Sequence, residues 1–355
     1  MVDGKCSRPA PVISGVPQGT VLGPILFILY INDLELVLSH SRSSSFADDT
    51  RLSGSISNVE DTVKLQADLN TVVDWSKKNN MSLHEDKFEL MSYRTHSSRL
   101  LRVLPFADEF CEYDTPAGCT LSPTKTVKDL GVYLSSDLTW SYHIATIIKN
   151  ARKVAAWTLG VFSDRSQLTM IRLYKSMIRC HLEYCSPLWD PTSISDIQKL
   201  ESVQRYFTEK IVDCNGLDYW ERLKKLNLQS LQRRRERYSI IHMWKIYNNL
   251  VPNDLNIEFY DSGRLGIMVK LPSLIKTSTS AAQTTIDNSF GIRASRLWNK
   301  IPGKVTRIRD LEKFKEKLGE FLRKFPDQPL TSGYSSPNNN SLLEWTMSST
   351  GILHR

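Results

Sequence analysis

SGVPQGTVLGPILFILYINDLELVLSHSRSSSFADDTRLSG, residues 14–54, decides how the rest of the chain is read. Gly15, Gly19 and Gly23 recur every fourth residue and lead into Pro24, a residue suited to the first helical turn. The following PILFILYINDLEL (24–36) is apolar on nearly every face, which predicts a buried helix of about three or four turns. It is too short to span a bilayer. Glycines permit close backbone approach to a ligand, and amides near a helix start attract phosphate. The segment is not a P-loop, because Pro24-Ile25 stands where Lys-Ser/Thr would be needed. Ser and Gly on both sides of Asp48 and Asp49 predict a hairpin whose tip carries both acids. Adjacent like charges repel, and a nearby cation relieves the repulsion; Mg²⁺ is bound by a few carboxylates together with substrate phosphates. Two-metal phosphoryl transfer uses such acids. An Asp-Asp pair also serves turns and caps, so on its own it leaves both readings open.

Downstream, Ser57 and Glu60 have capping-box spacing, and Leu65, Leu69, Val72 and Val73 carry a helical period to Lys78. Short strands are predicted at Met81–Leu83 and Phe88–Tyr93, around the turn His84-Glu85-Asp86-Lys87, and another at Val127–Leu134. From Trp140 onward the apolar spacing becomes helical, through Ile144, Ile148, Ala151, then Leu168, Ile171, Tyr174, then Ile197, Leu200, Phe207. Residues 251–290 read as a loose connection with a short strand, followed by helices near Ile292–Trp298 and Leu311–Leu322. PDQPLTSGYSSPNNNS, after Phe325, has the composition of a solvated, disordered segment.

A chain of 355 residues with 41% hydrophobic content can bury a core, which excludes general disorder. No apolar run reaches membrane-spanning length and the first residues do not resemble an export signal. Six cysteines without paired spacing argue against a disulfide framework and for a reducing compartment, cytoplasm or nucleus. Cys180, His181 and Cys185 lack a second metal-ligating pair and read as core cysteines on a helix. Charge divides by position: residues 1–140 hold 13 Lys/Arg against 18 Asp/Glu, and residues 141–355 hold 33 against 20. Metals attract carboxylates and polyanions attract Lys and Arg, although many soluble proteins also have a basic helical half. Arg233, Arg234 and Arg235, with Trp244 and Tyr247 beyond, could track a phosphate backbone or form a solvated helix face.

Taken together, SGVPQGTVLGPILFILYINDL (14–34) and FADDT (46–50) resemble two consecutive polymerase motifs of the non-LTR (LINE-type) retrotransposon reverse transcriptases, the jockey-like group in particular. The resemblance continues through LQADLNTVVDWSKKNNMSLHEDKFELMSY (65–93), VKDLGVYLSSDLTWSYHI (127–144), KSMIRCHLEYCSPLWDP (175–191) and SFGIRASRLWNKIP (289–302). It implies an α+β fold: a partial ferredoxin-like palm over 1–139, a helical thumb over 140–250, a mixed and helical region over 251–325 and a disordered tail over 326–355.

By the same resemblance Asp48 binds catalytic metal with Asp49 beside it, and Lys87 donates a proton to departing pyrophosphate, a use suited to a positioned lysine. Pro17, Gln18 and Gly19 lie against template and incoming nucleotide, and Leu130-Gly131 belong to the primer grip. Implied partners are an RNA template, a DNA primer and deoxynucleotide triphosphates, without a membrane. The implied cofactor is Mg²⁺ or Mn²⁺, provided the family's other metal-binding palm aspartate is supplied. That aspartate precedes the glycine-rich motif, where thirteen residues stand before Ser14 and none resembles its strand. The expectation is therefore an RNA-directed DNA polymerase truncated at its N-terminus and inactive alone, or else a non-enzymatic nucleic-acid-binding remnant. An RNA-templated RNA polymerase shares the two-acid hairpin, but Gly rather than Ala usually precedes its acids, so it ranks last.

Overall fold

The computed structural model describes residues 15–16, 19–93, 113–115, 118, 120–271, 288–325, 327, 341–344, 346–347 and 353–354. Its elements are α and β mixed, and the strands of the described residues pair only as two-stranded antiparallel ladders. Two compact units divide the chain, one within residues 1–92 and 98–125, the other comprising 93–97 and 126–355.

In the first unit, α1 (Leu22–Ile31) is followed by a 3-10 turn at Leu34–Val37, the hairpin β1 (Arg42–Phe46) and β2 (Asp49–Ser53), and α2 (Val59–Lys78). The α2 N-terminus falls one residue beyond the predicted cap: Asn58 Oδ1 accepts the Asp61 N–H at 3.0 Å, while Asp61 Oδ2 accepts the Ser57 N–H at 2.9 Å. Glu60 and Asp61 in its first turn, with Lys77 and Lys78 in its last, complement the helix dipole. A small core of Leu34, Val72 and Trp75 gathers Ile31, Leu38, Leu52, Met81 and Leu83. The helix predicted to be buried is largely exposed: Ile25, Ile28 and Leu29 on α1 face away from cover among the described residues, and only its C-terminal end, through Ile31 and the Tyr30–Trp75 ring contact, meets the small core. Strands predicted on either side of His84–Lys87 are likewise absent; Glu85–Lys87 form a 3-10 turn, and Leu90 makes only an isolated bridge with Pro123. Gln66 joins α2 to the short ladder β3 (Tyr113–Asp114) and β4 (Thr120–Leu121), accepting the Asp114 N–H at 2.9 Å and donating to its carbonyl at 2.8 Å.

The second unit begins with the hairpin β5 (Thr126–Asp129) and β6 (Val132–Ser135). Helices α3 (Ser141–Val161), α4 (Gln167–Leu173), α5 (Ser186–Trp189), α6 (Ile194–Glu209), α7 (Tyr219–Lys225) and α8 (Leu231–Tyr247) follow. Val132 on β6 packs in the same core as Ile144, Ala151, Ala155, Tyr174, Trp189, Leu200 and Phe207, so this hairpin folds with the helices rather than with the segment before it. Sequence pattern missed α7, whose Asp218 and Glu221 form a capping box.

A second core joins Ile240, Trp244 and Ile246 of α8 to β8 (Ile267–Val269), α9 (Phe290–Trp298) and α11 (Leu311–Leu322). Strand β7 (Phe259–Asp261) pairs with β8, so a two-stranded ladder stands where a loose connection with one short strand was expected. At Gly266, with φ 91°, an added Cβ would come within 2.2 Å of the Gly303 Cα at the start of α10 (Gly303–Thr306). Because α8 runs from Leu231 in the first of these cores to Ile246 in the second, residues on both sides of the 250/251 boundary share a core. The tail expected to be solvated is part of it too: Leu342 is fully buried there, and Asp327 accepts a hydrogen bond from the Ser230 hydroxyl at 2.6 Å. Most of the remaining tail lies outside the described residues.

Candidate catalytic hairpin and nucleic-acid interface

The β1–β2 ladder pairs Phe46 with Asp49 and leaves Ala47 and Asp48 as a two-residue turn. Positive φ at Ala47 (54°) and not at Asp48 is the pattern of a type II′ turn, where the right-handed strand twist is matched. The cross-strand bond between the Ser45 and Thr50 hydroxyls, 3.0 Å, closes the ladder just behind the tip. Both acids are exposed, and Phe46 beside them is also exposed. Neither carboxylate is engaged by another side chain among the described residues, which leaves their oxygens open to a hard cation. Among those residues, however, no third His, Cys, Asp or Glu joins them in a cluster able to hold a metal. Two exposed carboxylates of this kind fit part, and no more than part, of the ligand set a divalent ion takes.

The approach to this hairpin is fixed from α2. Asp68, 2% exposed, accepts backbone N–H groups from Ser39 at 3.1 Å, His40 at 2.9 Å and Ser41 at 2.6 Å, together with the Ser41 hydroxyl at 2.8 Å. Burial pushes its carboxyl up, but these hydrogen bonds outweigh burial and hold it below the ordinary carboxylate range. Asp33 adds a second anchor by accepting the Trp75 indole N–H at 3.1 Å. Neither role was read from sequence; the buried position of Asp68 on the inner face of α2 is the signal that could have pointed to it.

Gly19 lies in the turn before α1 with φ 76°, and Thr20 Oγ1 accepts the Gly23 N–H at 3.1 Å. Pro17 and Gln18 lie outside the described residues. Lys87 ends its 3-10 turn with an exposed side chain and donates its backbone N–H to His84 at 3.0 Å. In the second unit, Leu130 and Gly131 form the two-residue turn between β5 and β6.

The arginine cluster is placed differently from expectation. Arg233 and Arg235 are buried at 1% and 0% exposure, Arg235 Nε donates to Asp190 Oδ1 at 2.6 Å, and Arg234 pairs with Glu183. Arg293 reaches the other Asp190 oxygen at 3.4 Å. Since α8 contributes to two cores, consecutive residues on it face packed neighbours, and Arg233, Arg234 and Arg235 pair with Glu236, Glu183 and Asp190 instead of forming a solvated face. Cys180 and Cys185, expected in the core, are exposed free thiols. No helix of the described residues is long and apolar enough to cross a membrane.

Comparison with known proteins bears on this geometry. Residues 1–134 match the family "Reverse transcriptase (RNA-dependent DNA polymerase)". Similar curated proteins are the RNA-directed DNA polymerases of the mobile element jockey from Drosophila funebris, 27% identical over 220 residues, and from Drosophila melanogaster, 26% over 214 residues. The probable RNA-directed DNA polymerase of transposon X-element from Drosophila melanogaster is 26% identical over 211 residues. These alignments take in 57–59% of this chain and 22–23% of each relative, so the chain spans under a quarter of their length. No solved structure matches the chain. Residues 1–134, which carry the acid-tipped hairpin, thus match a reverse transcriptase domain, and the chain is similar to the jockey-like RNA-directed DNA polymerases of non-LTR retrotransposons.

Proposed function

We propose that the chain serves RNA-directed DNA synthesis, with residues 1–139 contributing part of a polymerase palm and the helices of 140–250 a thumb. The observation that carries this reading is the β1–β2 tip, where Asp48 and Asp49 stand exposed and adjacent on a tight turn within a matched reverse transcriptase segment. Asp48 would hold a Mg²⁺ or Mn²⁺ ion, with Asp49 beside it, while a further carboxylate completes the site. When bound, such an ion lowers the cost of forming a nucleophile from a primer 3′ hydroxyl and of releasing pyrophosphate. Lys87 is exposed and free to protonate that leaving group. Pro17, Gln18 and Gly19 contact template and nucleotide, and the Leu130–Gly131 turn is the primer grip. The partners are an RNA template, a DNA primer and deoxynucleotide triphosphates.

The chain's own two carboxylates favour a second reading, a nucleic-acid-binding protein without catalysis, since no third ligand joins them among the described residues. Primer extension on an RNA template separates the two. Extension that needs Mg²⁺ and is abolished by Asp48→Asn supports the polymerase. Template binding without extension, unchanged by Asp48→Asn, supports the second reading.

A further inference from the structure

Both central residues of the β5–β6 turn have left-handed backbone, with φ 44° at Leu130 and 86° at Gly131. Glycine adopts this conformation freely, whereas a leucine there is strained and persists when its surroundings hold it. Tyr184 supplies the hold. Its hydroxyl donates to the Leu130 carbonyl at 2.9 Å, and its ring lies so close to Gly131 that a Cβ there would stand 3.4 Å from Tyr184 Cε1. Tyr184 is itself fastened, because its carbonyl accepts the indole N–H of the fully buried Trp189 at 2.8 Å. The Trp189 ring packs against His143 with centroids 5.3 Å apart, and His143 Nδ1 accepts the Tyr133 N–H of β6 at 3.2 Å. One buried tryptophan thus secures the hairpin at its tip, through Tyr184, and along its strand, through His143. Leu130 and Tyr184 remain 46% and 55% exposed, so the clasped turn presents an apolar and aromatic edge to solvent.

We infer that Tyr184 is the positioning residue of the Leu130–Gly131 turn, holding it in the left-handed form that seats the recessed 3′ end of a primer. The inference rests on the primer-grip reading of that turn under Proposed function. Two readouts on the full chain test it: affinity for a DNA primer on an RNA template with a recessed end relative to the same duplex with a blunt end, and hydrogen exchange of a peptide covering residues 126–135. Tyr184→Phe removes the phenol hydrogen bond and keeps the ring. It should leave thermal unfolding nearly unchanged, reduce the preference for the recessed end by roughly three- to tenfold, and speed exchange at the turn by a similar factor. Adding Leu130→Gly should restore both, since glycine needs no clasp to adopt this backbone. Unaltered end preference and exchange in Tyr184→Phe would overturn the inference, as would failure of Leu130→Gly to rescue. If the wild-type chain binds both duplexes equally, the primer-grip reading falls, and the exchange rates still decide whether Tyr184 holds the turn.

Discussion

The Asp68 carboxylate receives two hydrogen bonds from Ser41, one from its backbone N–H at 2.6 Å and one from its hydroxyl at 2.8 Å. With Ser39 and His40 they tie α2 to the chain leading into the acid-tipped hairpin. Asp68→Ala should leave those N–H groups without their charged acceptor and cost about 2 kcal/mol of local stability. Faster hydrogen exchange across residues 39–53 is the measurement. Because the Asp68 pKa lies below the ordinary carboxylate value, its contribution is present above that ordinary value and lost as pH falls through the lowered one.

Asp190 lies between Arg235 and Arg293, both buried. Replacing it with Ala strands two guanidinium groups away from water and should destabilise the second unit by about 3–5 kcal/mol. Denaturant unfolding followed by circular dichroism reads this directly. Substitutions at Arg233 and Arg235 should act the same way, through folding; a changed salt dependence of RNA binding in a fully folded variant would contradict that.

Two buried groups give opposite pH responses. Burial lowers the His143 pKa to about 4, so the stability of keeping it neutral is present above its ordinary value of 6.5 and is lost as pH falls towards 4. Burial also raises the Glu236 pKa, to about 7, against the opposing Arg233 charge and the hydrogen bonds from Ser341 and Leu342. Stability from protonated Glu236 is therefore present below its ordinary value of 4.5 and lost as pH rises through about 7. His143→Phe should flatten the acid limb of the stability profile and Glu236→Gln the limb above pH 4.5, each by on the order of 2 kcal/mol. Urea midpoints taken between pH 4 and pH 8 check both signs.

Gly266 and Gly303 pack backbone to backbone. Gly266→Ala places a methyl where the Gly303 chain runs and adds left-handed strain, so a loss of about 3 kcal/mol or more is expected. A thermal midpoint within a degree or two of wild type would show that β8 and α10 can separate at little cost.

Much of the architecture could be read along the chain because the interactions that decide it are local. Leu311–Leu322 is a helix over the predicted span, its Phe314, Leu318, Phe321 and Leu322 on one buried face. The Asp48–Asp49 hairpin follows from turn chemistry between two short polar strands. Periodicity could not show that α8 crosses two cores, so its arginines read as a solvated or phosphate-facing run; burial with Asp190 and Glu183 comes from elements some fifty residues away. Composition made the tail look solvated, yet Leu342 is held by a nonlocal core and by Glu236, which accepts its N–H at 2.9 Å. By itself, then, the sequence determined most of the helices, the acid-tipped turn and the likeness to reverse transcriptases. Tertiary structure decided which charges are buried, which partners they have and what holds the Leu130–Gly131 turn, because burial and pairing depend on residues that folding alone brings together.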